Sequence, residues 1–221
     1  MNPPWWGIPV VLVIGAAVIV AGWWWDRRRH RAESAGFITA EDITRASGPV
    51  GLPEADARAL LAQRGPTPTL PGGLADAAFV THPTLGVGIV RDPLVLVTDA
   101  EIDDDRLLLP LLTLARTADT ALVLVAPWFS PDAVGTLAAN HRTGRVSVLP
   151  IELADPDLLA GIARQCARAG DGAVIGASDL QAGWLPDAVR GTAAWWIADL
   201  DDSWVETRHA ASHNDEPSSS G

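Results

Sequence analysis

The chain has no lysine and no tyrosine, and among its 221 residues there are only one cysteine, one methionine and three phenylalanines. Without lysine the phosphate-cradling half of a nucleotide-binding loop is missing. No G-x-x-x-x-G-K-[ST] occurs, although LVLVTDAE (94–101) has the outline of an apolar strand ending in magnesium-binding acids. A nucleotide hydrolase is therefore poorly supported. The single cysteine, Cys166, excludes an internal disulfide and fits a reducing compartment. In the apolar-periodic stretch LLAGIARQCARAG it reads as a small buried hydrophobe. His82, His141, His209 and His213 are scattered without metal-ligand spacing. No serine or cysteine sits in a strand-to-helix elbow beside a base. Together these absences predict a protein that is not an enzyme and that holds neither cofactor nor metal.

All 16 basic residues are arginine, and they are unevenly spread. Residues 1–31 hold four arginines and one acid, whereas residues 32–221 hold 12 arginines against 26 acids. An acidic surface repels phosphate backbones and anionic headgroups, so nucleic acid is not the expected partner. The acids Asp99, Glu101, Asp103, Asp104 and Asp105 have the oxygens to hold a hard cation, but acids before a helix are first of all caps and partners for its dipole.

What is present begins with WWGIPVVLVIGAAVIVAGWWW (5–25), which carries no charge. As a helix it would span roughly 30 Å of hydrocarbon. Trp5, Trp6, Trp23, Trp24 and Trp25 lie at its two ends, where amphipathic rings favour the headgroup layer. The positive charge of DRRRHR (26–31) follows the apolar run instead of preceding it, so the segment reads as an uncleaved single-pass anchor. Arg27, Arg28, Arg29 and Arg31 then stay on the cytoplasmic side, leaving the N-terminus outside and the main domain in the cytoplasm.

Four segments follow: the anchor with its basic flank (1–31), a connector (32–72), a main domain (73–206) and a tail (207–221) without periodicity. The connector predicts two short helices, one in FITAEDITRA with Thr39 and Asp42 in capping-box positions and one opening at Pro53. In the main domain, AFVTH, VGIV, LVLVT, ALVLVA, VSVLPI, AVIGA and AAWWIA read as strands. Helical periods in RLLLPLLTLARTA, PDAVGTLAAN and PDLLAGIARQCARA fall between them. Strands apolar at consecutive positions are buried on both faces, and their alternation with helices predicts an α/β fold with a parallel sheet core.

The order of these segments carries a resemblance. LADAAFVTHPTLGVGIVRDPLVLVTDAEI (74–102), LLPLL (108–112), ALVLVA (121–126) and AVGTLAAN (133–140) follow one another without gaps as in the apical domain of group I chaperonins, the GroEL type. VSVLPI, LLAGIARQCARAGDGAVI and TAAWWIADLDDSW continue it more loosely to about Val205, while ELADPDL replaces the family's Gly-Phe-Gly-Asp-Arg-Arg loop. The resemblance implies a layered apical-domain fold without the family's equatorial ATPase and intermediate domains.

It also implies binding of a protein or apolar peptide segment, without an ATP cycle, in a groove between two helices beside an extended segment. Carried over position by position, the groove is Leu74, Ala78 and Phe79 on the segment, Leu109 and Leu112 on the first helix, and Val134, Leu137, Ala138 and Ala139 on the second. Leu74 and Ala78 replace tyrosines of the family, and Ala138 and Ala139 replace paired valines. Trp128 and Phe129 stand where the family has acidic and small residues; they either add contact area or cover the core. The expected function is a membrane-anchored peptide-binding module. The alternative is an assembly scaffold in a membrane complex, with the groove closed by the connector or by a neighbouring copy in a homo-oligomer.

Overall fold

The computed structural model describes residues 52–63, 69–168 and 172–207. The anchor at 5–25, its basic flank, the capping box at Thr39 and Asp42, and the tail from residue 208 lie outside the described residues. Among the described residues no helix is long and apolar enough to cross a membrane.

Three consecutive-apolar runs form the centre: β3 (Leu94–Val97), β4 (Leu122–Ala126) and β5 (Val148–Glu152). They pair in parallel, with Val95 opposite Val123 and Leu124 opposite Pro150. Every residue of β3 and β4 is buried, as expected of strands covered on both faces. Two-residue strands close the edges antiparallel, β1 (Gly73–Leu74) beside β5 and β6 (Gly191–Thr192) beside β3. Pro150 is tolerated inside β5 because a residue's N–H and C=O point to the same side of a strand. Its carbonyl accepts from the Ala75 amide at 2.9 Å, so its missing donor faces the short strand β1.

The crossovers are α2 (Leu108–Ala118) between β3 and β4, α3 (Pro131–Arg142) between β4 and β5, and α4 (Pro156–Cys166) after β5. Right-handed crossovers along the order β3, β4, β5 put α2 and α3 on one face. After β5 the chain returns past β3, where Ile175 bridges Thr98, so α4 lies on the other face and packs against β3. A short α5 (Ala177–Ala182) follows, closed by Gly183 in the left-handed conformation.

A second sheet is antiparallel, with strand order β2 (Gly88–Arg91), β7 (Trp195–Ala198), β8 (Ser203–Glu206). VGIV and AAWWIA are thus strands, but they do not belong to the parallel sheet. The reason lies in the Asp92-Pro93 link to β3, which is too short for a parallel crossover; Asp92 turns the chain with φ 50°. AFVTH and AVIGA are not strands. Asp76 captures the Ala78 amide at 2.8 Å and opens a 3-10 turn over Ala77–Phe79, while Ile175 makes a single bridge before Gly176 starts α5.

The helix that opens at Pro53, α1 (Glu54–Gln63), packs on the second sheet, where Ala57 joins Val87, Ile89, Ile197 and Trp204. Its start is pinned by a relay through buried His82. The ring Nε2–H donates to the Leu52 carbonyl at 2.9 Å, Nδ1 accepts from the Thr81 hydroxyl at 2.9 Å, and that hydroxyl accepts from the Ile89 amide at 3.0 Å. The hydrogen-bond directions assign this tautomer. Helix α1 therefore packs on the second sheet.

Strand β1 couples the two sheets. Leu70 bridges Ser203 at the start of β8 while Gly73 and Leu74 pair with β5. A β-carbon at Gly73 would overlap the Leu200 carbonyl, so glycine is required by close approach.

The relay makes a testable statement. His82→Ala removes both partners and should cost about 1–3 kcal/mol. Amide hydrogen exchange should then accelerate in α1 while β3–β5 stay protected; unchanged protection of α1 would show that the relay does not hold it.

Candidate functional site

The surface of interest is built on the amino-terminal turns of α2 and α3, beyond the carboxyl ends of β3 and β4, which is where open α/β sheets place ligands. Asp104 caps the 3-10 turn Asp105–Leu107 ahead of α2 by accepting from the Arg106 amide at 2.8 Å. Pro110 falls in the first turn of α2, where no helical partner for an N–H exists. Ser130 caps α3, accepting from the Ala133 amide at 3.1 Å, and Pro131 opens the helix. The two helix starts are tied together by the Thr136 hydroxyl, which donates to Asp105 Oδ2 at 2.8 Å.

The ten residues expected to contact a ligand divide in two. Leu74, Phe79, Phe129, Leu137 and Ala138 are buried in the main core. Phe79 meets His141 edge-on at 5.8 Å, and Phe129 bridges Ile102 next to β4. These five pack in the core, and Phe129 covers it at the end of β4.

The remaining five reach solvent. Leu109 is 64% exposed, Ala139 is exposed, and Leu112, Trp128 and Val134 are half-buried, as is Ala78. The difference follows helix geometry: Leu108, Leu111 and Ala115 take the inward stripe of α2, which turns Leu109 and Leu112 outward.

Sequence reasoning passed over Trp184, 59% exposed and, with Leu109, one of two exposed large apolar side chains among the described residues. The signal was a tryptophan directly after a glycine that ends a helix.

At the opposite end of the sheet a cleft of about 700 Å3 is lined by Arg91, Arg116, Arg145, His82 and His141, with Glu54, Asp92 and Asp119 among them. Its charges are mixed: Arg91 contacts Asp92 at 3.5 Å and lies 5.3 Å from the ring centre of Trp195. His141 is buried there, as is His82. The His141 Nδ1 accepts from the Val148 amide at 3.2 Å, and burial lowers the His141 pKa from the ordinary 6.5. Cys166 is also buried, its thiol pushed up to about 12 by desolvation. The Gly191 backbone packs tightly over it, since a β-carbon there would come within 2.9 Å of Cys166 Cβ. Among the described residues no group of three or more His, Cys, Asp or Glu side chains is placed to hold a metal ion.

Fold and surface together define a mixed α/β domain, parallel at its centre, with an apolar patch at the carboxyl edge of the sheet. No protein-family model matches the chain. Among solved structures the chain is similar to the chaperonin gp146 from bacteriophage EL 2 (Pseudomonas aeruginosa), crystallised in the presence of ATP-BeFx. The identity is 19% and the TM-score 0.49, over 64% of this chain. The match spans 28% of that chaperonin chain, well under two thirds of its length.

Burial of His141 and Cys166 has measurable consequences. Unfolded, His141 takes up a proton near pH 6.5; folded, it does so only at lower pH. Between those values the unfolded chain binds the extra proton, so stability should fall as pH drops through 6.5. His141→Asn, which keeps an acceptor for the Val148 amide, should flatten this limb of a stability–pH curve; an unchanged limb would assign it to other groups. Cys166 should resist a thiol reagent at neutral pH until the chain is unfolded, and rapid native labelling would contradict its burial.

Proposed function

We propose that this chain is a membrane-anchored polypeptide-binding module of chaperonin-apical type. Residues 5–25 anchor it as a single-pass protein in the cell membrane, with the N-terminus outside and the main domain in the cytoplasm. The domain holds an extended or helical apolar segment of another protein against Leu109, Leu112, Val134 and Trp128, without ATPase or other catalytic activity and without a cofactor. The observation that carries this reading is Leu109. A leucine 64% exposed on a helix whose neighbouring positions Leu108 and Leu111 are fully buried is not needed by the core, and it stands where the apical-domain resemblance puts a polypeptide contact.

The scaffold reading with the connector as lid has less support, because α1 packs on the second sheet with Ala57 against Ile89 and Trp204. A lid supplied by a neighbouring copy remains an outcome of the test.

Leu109→Glu should leave the melting temperature within the range of surface substitutions, about 0.5 kcal/mol in stability. It should weaken binding of fluorescent apolar peptides to the purified chain at least about tenfold, equivalent to about 1.4 kcal/mol. Peptide binding unaffected by Leu109→Glu combined with Leu112→Glu would overturn the proposal. A shift from oligomer to monomer in the same variant would instead identify a neighbouring copy as the occupant. The anchor is tested separately: the chain should stay with the membrane pellet on alkaline carbonate extraction, whereas deletion of 5–25 should release it.

A further inference from the structure

The two exposed large apolar side chains among the described residues, Leu109 and Trp184, flank one point of contact between elements distant in sequence. Gly183 ends α5 so close to α2 that a β-carbon built on it would lie 3.4 Å from Pro110 Cβ. The chain neighbours of that pair are Trp184 on one side and Leu109 on the other. Trp184 is held there by its own backbone, its amide donating to the Asp179 carbonyl at 2.9 Å. Its position is thus set by the α5 cap, while its ring stays in solvent.

The segments that meet at this point are acidic: Glu101, Asp103, Asp104 and Asp105 precede α2, the turn Asp105–Leu107 contacts α5, and Asp179 and Asp187 lie on either side of Trp184 in the chain. Asp187 pairs with Arg190 at 3.0 Å, and Arg106 is the cation of the 3-10 turn before α2. An apolar centre with an anionic rim discriminates by charge, since like charge around the occupant costs free energy and opposite charge steers it.

Resting on the polypeptide-binding reading above, we infer that Trp184 and Leu109 together anchor the occupant, and that this occupant is an apolar polypeptide segment flanked by basic residues. The aromatic ring supplies a large rigid contact area of the kind that dominates interface energetics. The acids select among apolar segments that would otherwise compete equally.

The test uses the full chain in neutral-lipid nanodiscs and two fluorescent amphipathic peptides with the same leucine face, one with lysine and one with glutamate on the polar face. The lysine peptide should bind at least about tenfold more tightly than the glutamate peptide and lose affinity as salt is raised. Trp184→Ala should weaken it by about tenfold, and Glu101→Gln with Asp103→Asn should narrow the gap between the peptides. Equal affinity for both peptides, or no effect of Trp184→Ala, while Leu109→Glu still abolishes binding, overturns this inference and leaves the polypeptide-binding site standing. Binding of neither peptide, or indifference to Leu109→Glu, overturns both.

Discussion

The parallel pairing of β3, β4 and β5, apolar on both faces, is the constraint from which the rest of the domain follows. A strand buried on both sides must have helices over each face, and right-handed crossovers then assign α2 and α3 to one face and α4 to the other. The carboxyl ends of the strands and the amino ends of the helices meet at one edge. Buried Thr98 marks that edge, closing its own polar balance by donating to the Ile175 carbonyl at 2.7 Å and accepting from the Ala100 amide at 3.1 Å. Beyond β3 and β4 the chain still sends Ala100, Ile102 and Phe129 into the core, while Glu101, Asp103 and Asp104 stay exposed.

The acidity of that edge has a local origin. Asp104, Asp155 and Asp179 sit at or just inside helix starts, and Asp132 and Asp157 occupy first turns of α3 and α4. The helix dipole favours negative charge there, and aspartate is among the preferred caps. Requirements of helix stability thus gather acids at this edge of the sheet, while at the other end Arg91, Arg116 and Arg145 are matched by Glu54, Asp92 and Asp119. The net acidity of the main domain is therefore not uniform: it has a direction along the sheet.

Most of the central fold was legible from the chain alone. LVLVT, ALVLVA and VSVLPI are strands because four or five successive apolar residues admit little else, and Ser130-Pro131 and Asp155-Pro156 announce their helices. The division into two sheets was not legible, since it depends on the φ of Asp92, and two-residue edge strands leave no pattern to read. AFVTH misleads because its turn is made by Asp76, outside the apolar run. The site was half legible. Position along a helix is readable from periodicity, but which side of a leucine faces a neighbouring helix is decided by packing, so Leu137 and Phe129 entered the core while Leu109 did not.

Helix α2 has neighbours on two sides, and the two sides are unequal. Toward α3, the exposed positions Asp132, Gly135, Ala139 and Arg142 offer no large apolar group, and Ala138 has sunk into the core. Toward α5 stands Trp184. Trp184 is 59% exposed, so a partner can still bury roughly 90–150 Å2 of it, about 2–4 kcal/mol before ordering costs at about 25 cal/mol per Å2, against less than about 1 kcal/mol for an alanine methyl. A partner able to tilt across α2 gains more from the α5 side than from the α3 side. On the proposed reading, the α5 side of α2 adds contact area beyond that of Leu112, Val134 and Trp128.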